Sequence, residues 1–328
     1  MIKSERKLFA AWLMALTCGV IASTTSASAV DKVTLITDAG FLGRHAYYFV
    51  AIEKGYYKAA NLDVAVVRGQ GSAEAVRQVA AGNATFGFAD SGSAVLARGN
   101  DNLPIRVVAI VYAKPPHAIY ALKESGIAKP KDLEGRRIAN PAGGAIPQMF
   151  PAYAKAAGID ASKVGWVVAS SESLPGLLAL GRVDAIGQFT VGEPRLKKDA
   201  APKEVIEFSY ADAGLDFYSN GIVASDSTVK SNPDLVRRFV TATMKGLKDT
   251  LENPKDAAEI MQKFHREIDV DLATAELVKV RALAVIPNSP LGAIDAKRAQ
   301  NTIDVVGKAF DLKRPVMVED VFESGYVQ

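Results

Sequence analysis

Residues 62–88 read LDVAVVRGQGSAEAVRQVAAGNATFGF, and this stretch decides the fold. Residues 62–67 are a valine-rich run that ends at Arg68-Gly69, the pattern of a buried strand. Residues 72–81 place Ala75, Val76 and Val79 on one face of a helix, which Gly82-Asn83 stops. Residues 85–88 then give a second strand. Upstream, residues 33–36 read as a strand and 47–59 as a helix; downstream, 93–98 read as a helix and 106–112 as a long buried strand. Strand and helix in alternation predict a mostly parallel sheet covered on both faces.

A second series begins near Tyr120. It has strands at 137–139, 164–168, 185–187 and 206–209, and helices at 146–157 and 173–181. Residues 221–225 form a further strand that can return to the first sheet. The remainder is helical, at 233–252, 254–266, 272–283 and 296–310. The expected organisation is a first α/β lobe from 30–117, a second from 118–212, and a largely helical return to the first lobe over 213–328.

Residues 1–29 have the layout of a secretory signal: Lys3, Arg6 and Lys7, an apolar run over 8–21, then Ala27-Ser28-Ala29 before Val30. The apolar run of roughly 14 residues is short for a bilayer, which needs about 20. Cleavage after Ala29 and export across the cytoplasmic membrane are therefore expected. The one cysteine, Cys18, lies inside this segment. A lipid-attachment role would call for leucine three residues upstream, where the chain has Ala15. Without the signal the chain has no cysteine, which excludes disulfides, thiolate metal sites and cysteine nucleophiles. The net charge of +3 comes from interspersed signs and falls closer to zero once the signal is removed. That argues against a nucleic-acid partner, which calls for clustered Lys and Arg.

In open α/β sheets ligands sit beyond the carboxyl ends of the strands, near helix N-termini. Six strand-to-helix loops are therefore of interest, and four combine glycine with Ser, Asp or Asn just before a helix. The same residues also serve as ordinary N-caps and turns. The first loop carries Phe41, Arg44 and His45, where Arg44 can pair bidentately with a carboxylate or sulfonate. Gly71, Ser72, Asp90 and Ser91 offer polar contacts from the same lobe, and Gly143, Gly144 and Phe189 from the other. Tyr218 is placed near the hinge, and Tyr112 and His117 are further aromatic candidates near the lobe junction. One of Tyr47 and Tyr48 is expected in the core, because they lie about 100° apart on a helix.

The ordered set of motifs resembles one group of ABC-transporter solute-binding proteins, those for sulfonates, taurine, nitrate, riboflavin and the pyrimidine precursor of thiamine. It comprises residues 45–57, Asn61-Leu62-Asp63-Val64, Gly71-Ser72, Val79-Ala80-Ala81-Gly82, residues 86–90, residues 130–135 and residues 179–185. The resemblance implies a periplasmic-binding-protein fold of the second type, with two α/β lobes closing over a solute by hinge motion. It further implies delivery to an ABC permease in the cytoplasmic membrane. By the same resemblance His45 falls where pyrimidine-precursor binders carry a histidine. Those binders are aromatic at the position of Ala39, so the chain departs from them there. Phe41, Arg44 and the tyrosines favour an aromatic or mid-sized anionic solute.

A monomer without cofactor or metal is expected, and no catalytic residue. Only His45, His117 and His265 could supply imidazole. There is no Gly-x-Ser-x-Gly elbow and no His-Glu-x-x-His motif. Residues 69–71 lack the Lys-Ser/Thr partner of a nucleotide loop. Two alternatives stay open: a binding protein that signals through a receptor, and a periplasmic enzyme on this scaffold using Asp90 or Glu193 as a cleft carboxylate.

Overall fold

The computed structural model describes residues 29–327, so the expected signal segment falls, through residue 28, outside the described residues. The strands β1 (Asp31–Ile36), β2 (Leu62–Val67), β3 (Phe86–Asp90) and β4 (Ile105–Ile110) come first. They are followed by β5 (His117–Leu122), β6 (Arg137–Asn140), β7 (Gly165–Val168), β8 (Ala185–Phe189) and β9 (Val205–Ser209). The chain then returns with β10 (Asn220–Ser225). Two five-stranded sheets result, in the orders β2-β1-β3-β10-β4 and β7-β6-β8-β5-β9. The chain passes between them twice, through residues 111–116 and 210–219.

Both sheets are mixed: four of the five strands in each run one way, in keeping with a mostly parallel arrangement, and one runs against them. β1 and β6 pair in parallel with both of their neighbours, whereas β10 and β5 run antiparallel to both of theirs. The reason is topological. β5 and β10 are the strands on which the chain enters one sheet from the other, so each arrives from the opposite end. Each holds the fourth position of its sheet, beside the strand whose loop leads into the region between the lobes.

The first lobe carries α1 (Ala46–Glu53), α2 (Tyr56–Ala59), α3 (Ser72–Ala80) and α4 (Ser91–Asp101). The second carries α5 (Ala145–Ala157), α6 (Leu174–Ala179) and α7 (Glu193–Ala200). After β10 come α8 (Asp226–Ser231), α9 (Pro233–Glu252), α10 (Pro254–Phe264), α11 (Val270–Ala284), α12 (Ala296–Ala309) and α13 (Val318–Val321). The helix expected over 47–59 is broken, because Gly55 takes the left-handed conformation (φ +71°) that L side chains rarely adopt. Ala75, Val76 and Val79 of α3 are fully buried, as their spacing predicts. Tyr47 and Tyr48 are both fully buried, not one of them, since helices of the C-terminal return cover the side of α1 that would otherwise face solvent. Phe86 of β3 stacks on Phe239 of α9 at 4.1 Å between ring centres. Val95 of α4, Met149 and Phe150 of α5, and Ile303 of α12 belong to one apolar cluster that continues through both lobes.

Candidate functional site

A cavity of about 340 Å³ lies between the two sheets. The first lobe walls it with the loop after β1 (Asp38 to Arg44), with Gly71 and Ser72 at the start of α3, and with Ala273 and Glu276 of α11. The second lobe closes it with Asn140 at the end of β6, Gly144 after it, Glu172 after β7, and Gln188 and Phe189 at the end of β8. The lobes touch along this seam. The Ala73 N–H donates to the Gly143 carbonyl at 3.1 Å. A Cβ on Gly71 would sit 2.1 Å from the Gly143 carbonyl carbon, so glycine alone permits this approach. Near the mouth, Lys198 of α7 pairs with Asp269 at 2.7 Å, and Lys279 of α11 pairs with Glu193 of α7. The arrangement is a closed one.

The most strongly charged part of the wall is already neutralised. Asp38 and Arg44 form a two-pronged pair, with both N···O distances 3.0 Å. Asp38 also receives the Asn220 amide at 2.8 Å and the His45 ring at 3.0 Å. Burial works to raise the Asp38 pKa, but the Arg44 charge and the His45 bond outweigh it and hold the group down to about 2. Burial, and then the Arg44 charge, lower His45 to about 4, so the ring is neutral at pH 7. Its Nδ1 accepts the Leu42 N–H at 3.3 Å, which assigns the proton to Nε2 as donor to Asp38. Glu276 is the contrasting group. One of its oxygens accepts the Arg44 N–H at 3.1 Å, and burial lifts its pKa to about 7 despite the Arg44 charge.

Of the residues singled out in the sequence, Phe41, Arg44, Gly71, Ser72, Gly144 and Phe189 line the cavity. Arg44 does so with its fork turned to Asp38, and its guanidinium carbon lies 5.3 Å from the Phe189 ring centre. His45, Asp90, Ser91, Gly143 and Tyr218 lie off the wall, each for a local reason. His45 turns inward to Asp38. Asp90 caps α4 by accepting the Ser93 N–H at 3.0 Å, and it also receives the Ser219 hydroxyl. Ser91 is already the first residue of α4 and donates to the Ser219 carbonyl at 2.7 Å. Gly143 is the surface on which Gly71 rests. Tyr218 belongs to the second crossover, where its hydroxyl accepts the Asp295 N–H at 2.9 Å. Tyr112 and His117 are likewise fully buried away from the wall.

Glu276, Asn140, Gln188 and Arg195 are wall residues that were not singled out. Asn140 ends β6 and Gln188 lies at the end of β8, beside Pro141 and Gly187. Glu276 and Arg195 are helical, and nothing in helix periodicity separates a cavity-facing charge from a solvated one. Among the described residues no group of His, Cys, Asp and Glu is arranged to hold a metal ion.

Two mixed α/β lobes closing over a cavity define a periplasmic-binding-protein fold. The chain superposes on the alkanesulfonate-binding protein SsuA from Xanthomonas axonopodis pv. citri with a TM-score of 0.72. The match covers 90% of this chain and 99% of that one at 12% identity, a likeness of fold. The chain belongs to the NMT1/THI5-like family, whose model matches residues 43–257. It is 27% identical to the formylaminopyrimidine-binding protein of Halalkalibacterium halodurans, over 85% of this chain and 86% of that protein. It is 29% identical to the riboflavin-binding protein RibY of Chloroflexus aurantiacus, over 86% and 82%. A more distant relative, 24% identical over 70% of this chain and 73% of its own length, is the 4-amino-5-hydroxymethyl-2-methylpyrimidine phosphate synthase of Legionella pneumophila.

Proposed function

We propose that this protein is the extracytoplasmic solute-binding component of an ABC importer, which captures a small aromatic solute between its lobes and delivers it to the membrane permease. The observation that carries the reading is the cavity of about 340 Å³ with walls from both lobes. Phe41 and Phe189, one from each lobe, are its aromatic surfaces. Residues 111–116 and 210–219 serve as the hinge. Relatives named for binding a formylaminopyrimidine and riboflavin support a ring-shaped solute. The protein acts in the periplasm as a monomer, without cofactor or nucleic acid, after cleavage at Ala29. Among the described residues no helix is long and apolar enough to cross a membrane.

A thermal-shift panel of pyrimidines, riboflavin, aromatic acids, sulfonates and nitrate tests the reading. A solute at 100 times its Kd adds about 2.7 kcal/mol, enough to raise the melting temperature by a few degrees. We expect at least one aromatic solute to do so, recovered unchanged afterwards. Silence across the panel would count against capture of these classes. A second reading, an enzyme on the same scaffold, is favoured by the synthase relative and by Glu276, a cavity carboxylate raised to about 7. Conversion of the bound solute would establish it. Asp90 and Glu193 serve it less well: Asp90 lies off the wall, and Glu193 is paired with Lys197 and Lys279.

A further inference from the structure

The three arginines that line the cavity all have carboxylate partners. Arg44 pairs with Asp38 at 3.0 Å, Arg68 with Glu267 at 2.7 Å and Arg195 with Asp199 at 2.9 Å. Arg68 also lies over the Phe41 ring, 4.7 Å from its centre. No lysine lines the cavity. Arg68 and Arg195 are about half exposed and each makes a single bond to its partner, so Arg44 is the buried cation of the wall. A carboxylate or sulfonate that took its fork from Asp38 would leave that buried carboxylate uncompensated.

Acceptors, by contrast, are in surplus. Asn140 is 4% exposed, and its Nδ2 donates to the Gly187 carbonyl, which fixes Oδ1 as the oxygen left over. That oxygen and Gln188 Oε1 are buried with no hydrogen-bond partner among the described residues. Both residues line the cavity, as does Glu276. A carboxylate offers about four acceptor sites, so the bond from Arg44 leaves Glu276 with capacity to spare. Buried polar atoms without partners cost stability, and a donor-bearing ligand recovers that cost.

We propose that the cavity selects its solute by N–H donors: an amino or amidinium group is received by the oxygens of Asn140, Gln188 and Glu276, and carboxylates and sulfonates are turned away. This deepens the solute-capture reading and rests on it, and it reverses the anionic preference that Arg44 suggests in the sequence.

Benzamidine and benzoate make a matched pair of probes, alike in shape and opposite in head group. Isothermal titration at pH 7.5 is expected to give benzamidine at least a tenfold lower Kd than benzoate. Glu276→Gln should cut that preference at least fivefold, and Gln188→Met should weaken benzamidine alone. The Gln188 variant keeps the test usable if Glu276→Gln melts early. Benzoate binding as tightly as benzamidine, or a preference untouched by both substitutions, overturns the proposal and leaves solute capture standing. No heat from either probe also overturns it; solute capture fails too only if the aromatic panel is silent as well.

Discussion

Five buried ionisable residues set how the folded chain responds to acid. Burial lifts Glu276 to about 7 and Asp90 to about 6, above the usual carboxylate range near 4. The folded chain therefore holds protons that the unfolded chain releases, and stability grows as pH falls toward 4.5. His45 and His117 act in the opposite sense. Burial lowers them to about 4 and about 3, so below about 6.5 the unfolded chain takes up a proton on each and folding loses. Each proton of difference is worth about 1.4 kcal/mol per pH unit, and two against two cancel between about pH 4.5 and 6. Below about pH 4 the unfolded chain also protonates Asp38, which the folded chain holds down to about 2, and its stabilisation is lost as pH falls through that value. Thermal scans should show a melting temperature nearly level from about pH 4.5 to 6 and falling steeply below about 4. A steady decline beginning at pH 6.5 would mean that Glu276 and Asp90 are not protonated on folding. Apart from Asp90, singled out as a candidate carboxylate, this residue chemistry was not legible in the sequence. Arg44 looks like a ligand's partner until the fold brings Asp38, six positions earlier, back against it. The sequence cannot show which of two nearby opposite charges will be used internally.

Loops meeting across the cavity are the decisive elements. Gly71 takes φ +135°, and its Cα faces the Gly143 backbone. Gly71→Ala would strain that conformation by about 1–3 kcal/mol and would press a methyl group against the second lobe only when the lobes are closed. The unliganded protein should therefore melt a few degrees lower, while affinity for its solute falls by more than tenfold. Equal losses in the two measurements would mean that the methyl group acts through backbone strain alone. At this scale much was legible. The α3 face, the start and end of α9 and the return strand β10 follow from apolar spacing, asparagine–proline starts and short β-branched runs. The wall residues on α7 and α11 were not. Arg195 is exposed at the cavity's edge and Glu276 is buried, yet both occupy helical positions that no local signature marks as part of the wall.

At the scale of the molecule, closure is held by a seam of backbone contacts and by ion pairs at the mouth. Lys198–Asp269 and Lys279–Glu193 are partly exposed, so each is worth about 0–1 kcal/mol and is screened by salt. The double variant Lys198→Ala, Lys279→Ala should weaken solute binding about two- to tenfold at low salt. At 0.5 M salt it should match the parent protein, as titration calorimetry would register. A deficit that persists at high salt would mean that the lysine stems, not their charges, support the closed form. The position of β10 has a temporal consequence. It lies between β3 and β4, so an interior strand of the first sheet is supplied by residues 220–225, after the whole second sheet has been made. A growing chain cannot complete its first lobe until most of it has emerged. Pairing over so long a sequence separation is slow. Synthesis from the N-terminus thus leaves β3 and β4 without their shared neighbour while residues 111–219 are made, and the lobe that begins first is finished last.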